Sequence, residues 1–260
     1  EIAKNEKVNG VICYASDPAA PTAAYVCEHL GLPTSPYKSV EILSRKDLFR
    51  DYLTKNGFNA PKTKSFSTYE EVLPEIDAFT FPVMIKPVDS SGSKGINKAL
   101  DKNNLKFFIE DALSYSRCKR FLIEEFIFKK GYQISGDGFS VNGILKFRSF
   151  ANEHYGNYKI KDYVPLGESW PSILPEETQQ KVHDEIQRLI TSLGMKTNAY
   201  NIEVIIDESD KIFILELGAR NGGSLIPQII KLATGVDLVR YTIKAALGED
   251  CSNLEMKEVT

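Results

Sequence analysis

"KIFILELGARNGG" (Lys211–Gly223) reads as an apolar strand with Glu216 set between Leu215 and Leu217, followed four residues later by Arg220. An ionised carboxylate in an apolar run is costly unless a cation or a set of donors meets it. Just upstream, "AYNIEVIID" (Ala199–Asp207) is a second apolar run and carries Glu203, so the two runs read as a hairpin. With Glu208 to Lys211 as the loop, Asp207 pairs with Ile212, Ile205 with Ile214, and Glu203 with Glu216. Directly paired side chains lie about 4.5 to 5.5 Å apart on one face, where like charges repel. A shift of one residue would send Glu216 to the other face, opposite Ile202. The paired arrangement needs a reason, and a divalent cation is one: Mg²⁺ takes oxygen ligands, usually one or two carboxylates with water and phosphate. The alternative is that one Glu faces solvent or that Glu216 pairs with Arg220.

Composition narrows the partners. The chain has 260 residues and is 42% hydrophobic, enough for a real core and for two lobes or one large α/β unit. Lysine plus arginine (32) nearly balance aspartate plus glutamate (35), for a net charge of -3. No basic field is present to hold nucleic acid or anionic lipid, which leaves a small molecule as the expected partner. Cys13, Cys27, Cys118 and Cys251 are scattered without C-x-x-C spacing, as expected of reduced thiols in a cytoplasmic protein. No apolar run reaches the ~18 residues of a membrane span, and no signal peptide is visible.

Along the chain, "VNGVICYA" (Val8–Ala15) reads as a buried strand and "TAAYVCEHLGLP" (Thr22–Pro33) as a helix stopped by Gly31. A second helix is expected over "SRKDLFRDYLTKNGF", with Ser44 as N-cap and Gly57 as stop. "TKSF" and "FPVMIKPV" read as strands, "NNLKFFIEDALSYSR" as a helix, and "RFLIEEFI", "YQISGDGFSV" and "GILKFRSF" as three strands, the last two joined by an Asn142-Gly143 turn. A helix ending at Gly194, the Glu203/Glu216 hairpin and two further helices complete the chain. "FPVMIKPVDSSGSKG" (Phe81–Gly95) places Lys86 near the end of a strand and follows it with a Ser/Gly loop. Such a loop lets backbone N–H groups and hydroxyls cradle phosphate oxygens, although an ordinary turn has the same composition.

The order of these features resembles the ATP-grasp superfamily: "SRKDLFR", strand-Lys-Pro before a Gly/Ser loop, "FLIEEFI" before "GYQISGD", then "NIEVII" with "ILELGARNGG". It looks closest to the carboxylate-amine ligase and carbamoyl-phosphate-synthetase-like branch. The implied fold is α+β, two α/β lobes with largely antiparallel sheets clamping ATP. Residues 1–40 would be the end of a small N-terminal α/β domain, 41–250 the ATP-grasp unit (lid lobe about 80–127, larger lobe about 128–250) and 251–260 a tail. The resemblance assigns Lys46 and Lys86 to the ATP phosphates, and Ser90, Ser91, Gly92, Ser93 and Gly95 to a lid over them. Glu124, Glu125, Phe126 and Ile127 form its adenine hinge. Gln133 stands where many members carry a ribose-binding Glu.

Glu203 and Glu216 match the metal ligands, for Mg²⁺ or alternatively Mn²⁺, and Arg220 the arginine that stabilises the transferring phosphate. Many relatives read Glu-x-Asn-x-Arg, whereas Gly218 stands here in place of the Asn; water or Asn221 would then complete the metal shell. Lys159 and Lys161, in the stretch from Glu153 to Glu177, and Arg148 just before it are candidates for substrate contacts. The three histidines show no motif context and read as structural. The implied activity is an ATP-dependent ligase joining a small carboxylate to an amine through an acyl phosphate, with ADP and phosphate released. A carboxyphosphate- or carbamoyl-phosphate-forming subunit and a non-catalytic ATP-binding module remain open, as does a homodimer.

Overall fold

The computed structural model describes residues 1–156 and 164–257. After a short helix α1 (Ile2–Asn5), the expected strand over Val8–Ala15 is absent; only Tyr14 makes a parallel bridge, to Asn221. Helix α2 (Ala20–Leu30) ends as expected at Gly31, whose left-handed backbone closes it. The single helix expected to start at Ser44 is instead two: α3 (Tyr37–Ser44) and α4 (Lys46–Lys55). Ser44 does not cap α4, because its hydroxyl donates back to the Val40 carbonyl in the preceding helix, 2.8 Å away.

The smaller sheet comprises β1 (Thr63–Phe66), β2 (Val83–Pro87), β3 (Asn97–Ala99) and β4 (Phe121–Glu125), in the antiparallel order β1-β4-β2-β3. Helices α5 (Tyr69–Val72) and α6 (Leu105–Tyr115) accompany it, and its core includes Phe66, Val83, Ile85, Ile109, Phe121 and Ile123. This sheet and its core reach back to Thr63, well before the residue 80 expected as the start of the lid lobe.

The larger sheet comprises β5 (Gln133–Val141), β6 (Ile144–Tyr155), β7 (Pro165–Ser169), β8 (Asn198–Ile206) and β9 (Ile212–Gly218), antiparallel in the order β7-β6-β5-β8-β9. Strand alternation sorts its two faces. Ile134, Phe150, Ile202, Val204 and Leu217 turn toward the core shared with α2, α3, α4 and α7 (Glu176–Ser192). On the other face, Phe139 and Phe147 pack with α8 (Ile226–Thr234) and α9 (Leu238–Ala246) at one end. Gln133, Glu153, Glu203 and Glu216 lie toward the other end. Cys251 and Leu254, both 2% exposed, belong to the core under α8 and α9, so the residues expected as a tail are packed. Among the described residues no helix is long and apolar enough to cross a membrane, and the four cysteines are unpaired.

Candidate active site

Glu203 and Glu216 face each other across β8 and β9, by a route the sequence did not show. The Asp207 carboxylate accepts from the backbone N–H groups of Ser209 and Lys211, both at 2.8 Å, and so holds Asp207 in the turn. The closing pair is therefore Ile206 with Ile212, followed by Ile205 with Phe213 and Val204 with Ile214. Continued unchanged, this register would set Glu216 opposite Ile202. A β-bulge takes up Leu215, and the ladder resumes with Glu203 opposite Glu216. The expected pairs Asp207–Ile212 and Ile205–Ile214 do not form, yet the carboxylate pair does.

The Leu215 carbonyl exposed by the bulge accepts from Nη1 of Arg50 at 2.9 Å. The same guanidinium donates through Nε to Glu124 Oε2 at 3.0 Å, and the other Glu124 oxygen meets Lys86 Nζ. Arg50 and Glu124 side chains are each 3% exposed. Burial pushes the Glu124 carboxyl up, but Arg50 and Lys86 outweigh it and hold it at about 2. Glu124 was expected only to contribute backbone to an adenine hinge; its side chain is the hub of a buried ion triad. Lys46, the first residue of α4, donates to the Ser90 carbonyl at 2.8 Å, and its Nζ lies 3.6 Å from Glu216 Oε2.

A cleft between the two sheets is lined by Lys86, Ser93, Glu124, Glu125, Phe126, Ile127, Gln133 and Glu203, with apolar walls from Met84, Ile96, Ile205 and Leu215. It encloses about 980 Å³ counted out to open solvent. A smaller recess holds Asp17, Lys46, Ser90 and Glu216, and Leu215 borders both. Ser91 and Gly92 line neither. The N–H of Glu125 is taken by the Lys62 carbonyl and that of Phe126 by Pro82, while nothing among the described residues bonds the Ile127 N–H. Gly95 has a packing reason: a Cβ there would sit 2.9 Å from Tyr115 and 3.2 Å from the Ala112 Cα, so the loop can lie on α6 only with glycine. Gln133 is opposite Glu153 and donates to Glu203 at 3.5 Å, so its amide serves a carboxylate in this structure.

The polar face is acidic beyond the Glu203/Glu216 pair. Glu153 lies opposite Glu168 on β7, and Asp137 further along β5 accepts from the Gly222 N–H at 2.8 and 3.0 Å. Burial, then Glu216 and Glu153, push Glu203 well above the carboxylate range against Lys46 and Lys86. Burial together with Glu153 raises Glu168 to about 7, and burial raises Asp137 to about 7 despite the Gly222 bond. Each of these groups binds its proton more readily folded than unfolded. Their contribution to stability is complete below the unfolded value near 4 and is lost as pH rises through the folded values. Without divalent metal, the thermal midpoint should therefore fall between about pH 5 and 8, and Glu203→Gln should flatten part of that slope. A midpoint that is flat or rises over this range would rule out the burial of these acids.

Arg220 does not pair with Glu216. Its Nε and Nη2 grip both oxygens of Asp17 at 2.8 and 2.5 Å, and Nη1 donates to the Asn221 carbonyl at 3.1 Å. Asn221, the alternative to water for completing the metal shell, is fully buried and its Oδ1 accepts from Thr242 of α9 at 2.8 Å. Among the described residues no cluster of three or more His, Cys, Asp or Glu could hold a metal ion; the Glu203/Glu216 pair offers two carboxylates. That donor set fits Mg²⁺, which commonly completes its octahedron with water and phosphate oxygens. Arg148, expected near substrate, is on the other face of β6; it is 6% exposed and bonded to Glu176 at 2.8 Å and to Gln179 at 3.4 Å. Lys159 and Lys161 lie outside the described residues.

Residues 45–254 match the family model for the ATP-binding domain of the carbamoyl-phosphate synthase L chain. The chain belongs to that family. It is 28% identical over 237 residues to the uncharacterized protein y4rH of Sinorhizobium fredii, covering 89% of this chain and 47% of that one. It is 25% identical over 259 residues to the carbamoyl phosphate synthase large chain of Clostridium perfringens, covering 97% of this chain and 23% of the relative. The chain thus spans half or less of the length of these curated relatives. Two solved structures share its fold: L-amino acid ligase from Bacillus licheniformis (TM-score 0.77, 23% identity, 98% of this chain and 61% of that one) and biotin carboxylase from Campylobacter jejuni (TM-score 0.80, 14% identity, 99% and 58%). The fold is ATP-grasp, as the resemblance implied.

Sequence reading missed four residues around this site: Arg50, Asp17, Glu153 and Glu168. Arg50 had a signal, since it follows Lys46 by one helical turn and shares its face. Glu168 sits on the edge strand β7, whose outer residues are mostly exposed, so no apolar alternation marked the strand.

Proposed function

We propose that this chain is an ATP-dependent ligase that activates a small carboxylate as an acyl phosphate and passes it to an amine, releasing ADP and phosphate. The observation that carries this reading is the Glu203/Glu216 pair, built by a bulge where the interlobe cleft lined by Glu203 and Lys86 adjoins the recess that holds Glu216 and Lys46. Repelling carboxylates held this way suit a divalent cation, and an apolar-walled cleft suits a purine. The Ile127 N–H, which bonds nothing among the described residues, offers the adenine edge a donor, while Met84, Ile205 and Leu215 sandwich the ring. Lys46, on the Ser90 carbonyl, ties the 90–95 loop to the phosphate end, and Lys86 supplies charge there from the Glu124 hub. Glu203 and Glu216 would hold Mg²⁺, or Mn²⁺ in its place. When bound, the ion neutralises charge on the β- and γ-phosphates. Arg220, fixed at the same end, stabilises the transferring phosphoryl, and the loop excludes water that would hydrolyse the acyl phosphate.

A second reading takes bicarbonate as the acid, making carboxyphosphate; the family match over residues 45–254 favours it. The experiment that tests both is ADP release from Mg²⁺-ATP across amino acids, small organic acids and bicarbonate, singly and in pairs. Stimulation that needs an acid together with an amine supports the ligase, and stimulation by bicarbonate alone supports the second reading. ATP binding with no stimulation anywhere would point to a module that binds without turnover.

A further inference from the structure

Asp17 and Arg220 are 203 residues apart in sequence, and Asp17 lies outside the matched residues 45–254, yet they form a two-pronged ion pair with side chains 13% and 9% exposed. Three features fix this carboxylate. Asp17 opens a short 3-10 turn with Pro18 that runs directly into α2, whose Ala20, Ala24 and Cys27 are buried. The preceding residues are docked on the Arg220 loop, with Tyr14 bridged to Asn221 and Ala15 close to Gly223. Strand β9 makes room for it at Gly218, where a Cβ would come within 2.7 Å of Asp17 Oδ1 and 3.4 Å of the Arg220 guanidinium. A side chain at 218 would push the Asp17 carboxylate away from where it now sits.

The neighbourhood explains what the pair does. Arg220 is drawn electrostatically toward Glu216 as well as toward Asp17. Glu216 is two residues from Gly218 on the same strand. An arginine closing on Glu216 would neutralise a metal carboxylate and leave its own place beside the phosphates. Fork-to-fork pairing with a rigid aspartate prevents both, because a bidentate bond fixes the guanidinium plane as well as its position.

We propose that Asp17 is a positioning residue of this site, holding the Arg220 guanidinium beside the reacting phosphoryl group and off Glu216. This rests on the ligase reading above. The test compares Asp17→Asn, Asp17→Ala, Arg220→Ala and the Asp17→Ala/Arg220→Ala double variant in the full chain. Three quantities are measured: ADP release under the most stimulating acid and amine, Mg²⁺-dependent binding of AMP-PNP by calorimetry, and the thermal midpoint. Asp17→Asn, which keeps the shape, should lower turnover ~100-fold with the KM for ATP little changed at saturating Mg²⁺, and should raise ~10-fold the Mg²⁺ concentration needed for half-maximal AMP-PNP binding. In the Arg220→Ala background, Asp17→Ala should change neither quantity further, since it acts through the arginine.

Wild-type turnover and Mg²⁺ dependence in a folded Asp17→Asn would overturn the inference while leaving the ligase reading intact. Losses that multiply in the double variant would do the same. A wild-type chain that binds no Mg²⁺-nucleotide would overturn both. Gly218→Asn adds an independent check on the geometry: it should lower the thermal midpoint of the wild-type chain by more than it lowers that of the Asp17→Ala chain, where the crowded carboxylate is gone. A Gly218→Asn chain as stable as wild type would show that the space is not filled as described.

Discussion

Glu216→Gln is expected to cost ~10³-fold in Mg²⁺-dependent ADP release, the scale of several kcal/mol of charge stabilisation from a bound ion. The amide keeps the size of the side chain and one acceptor oxygen but removes the charge that a divalent ion needs. It also leaves Lys46, 3.6 Å away, without its anionic neighbour. The fold should not suffer, because in the metal-free chain the substitution relieves repulsion between Glu216 and Glu203 across the ladder. A thermal midpoint without metal that is equal to or above wild type, together with lost turnover, is the expected signature. Full turnover in this variant would end the assignment of the pair as a metal site. A collapsed fold would mean that Glu216 is structural.

The largest stability effect is expected at Glu124. Removing it leaves Arg50 and Lys86 as buried, uncompensated charges, and breaking such a pair typically costs ~3–5 kcal/mol. Glu124→Ala should show this in urea unfolding, and Glu124→Gln somewhat less, since the amide oxygen can still accept from one cation. Replacing Arg50 and Glu124 together by apolar residues should lose less than the single change, apart from the bond to the Leu215 carbonyl that Arg50 also makes. A single variant within about 1 kcal/mol of wild type would deny the triad its role. The acid limb has the opposite sign to that of Glu203. The Glu124 carboxyl is held down at about 2, so its contribution is present above the unfolded value near 4 and disappears as pH falls through the folded one.

What the sequence made legible follows the reach of each signal. The two-residue alternation of "NIEVII" and "ILELG" put both glutamates on the face that the structure gives them. A short-range effect decides the turn: the Asp207 carboxylate bonds two N–H groups and its own N–H bonds the Lys211 carbonyl, so Asp207 is not opposite Ile212, and only the bulge at Leu215 restores the glutamate pairing. Helix α3 has buried Val40 and Leu43 at helical spacing and was readable in principle, but the stronger pattern after Ser44 drew the helix start to itself. The Val8–Ala15 run is apolar enough for a strand and finds no partner strand among the described residues. Glu124 and Arg220 have side-chain partners that the sequence did not suggest. Their partners lie 74 and 203 residues away, a distance over which no local pattern carries information.

The Arg50 guanidinium also bears on motion. One nitrogen is fastened to Glu124 on the smaller sheet and another to the bulge carbonyl on the larger one, and both attachments start from α4. A clamp that opens to admit a nucleotide has to turn about this point or tear it, because a single side chain spans the gap. Lys46 makes a second tie beside it, from the same helix to the Ser90 carbonyl and toward Glu216, so the two lobes are coupled through the start of α4.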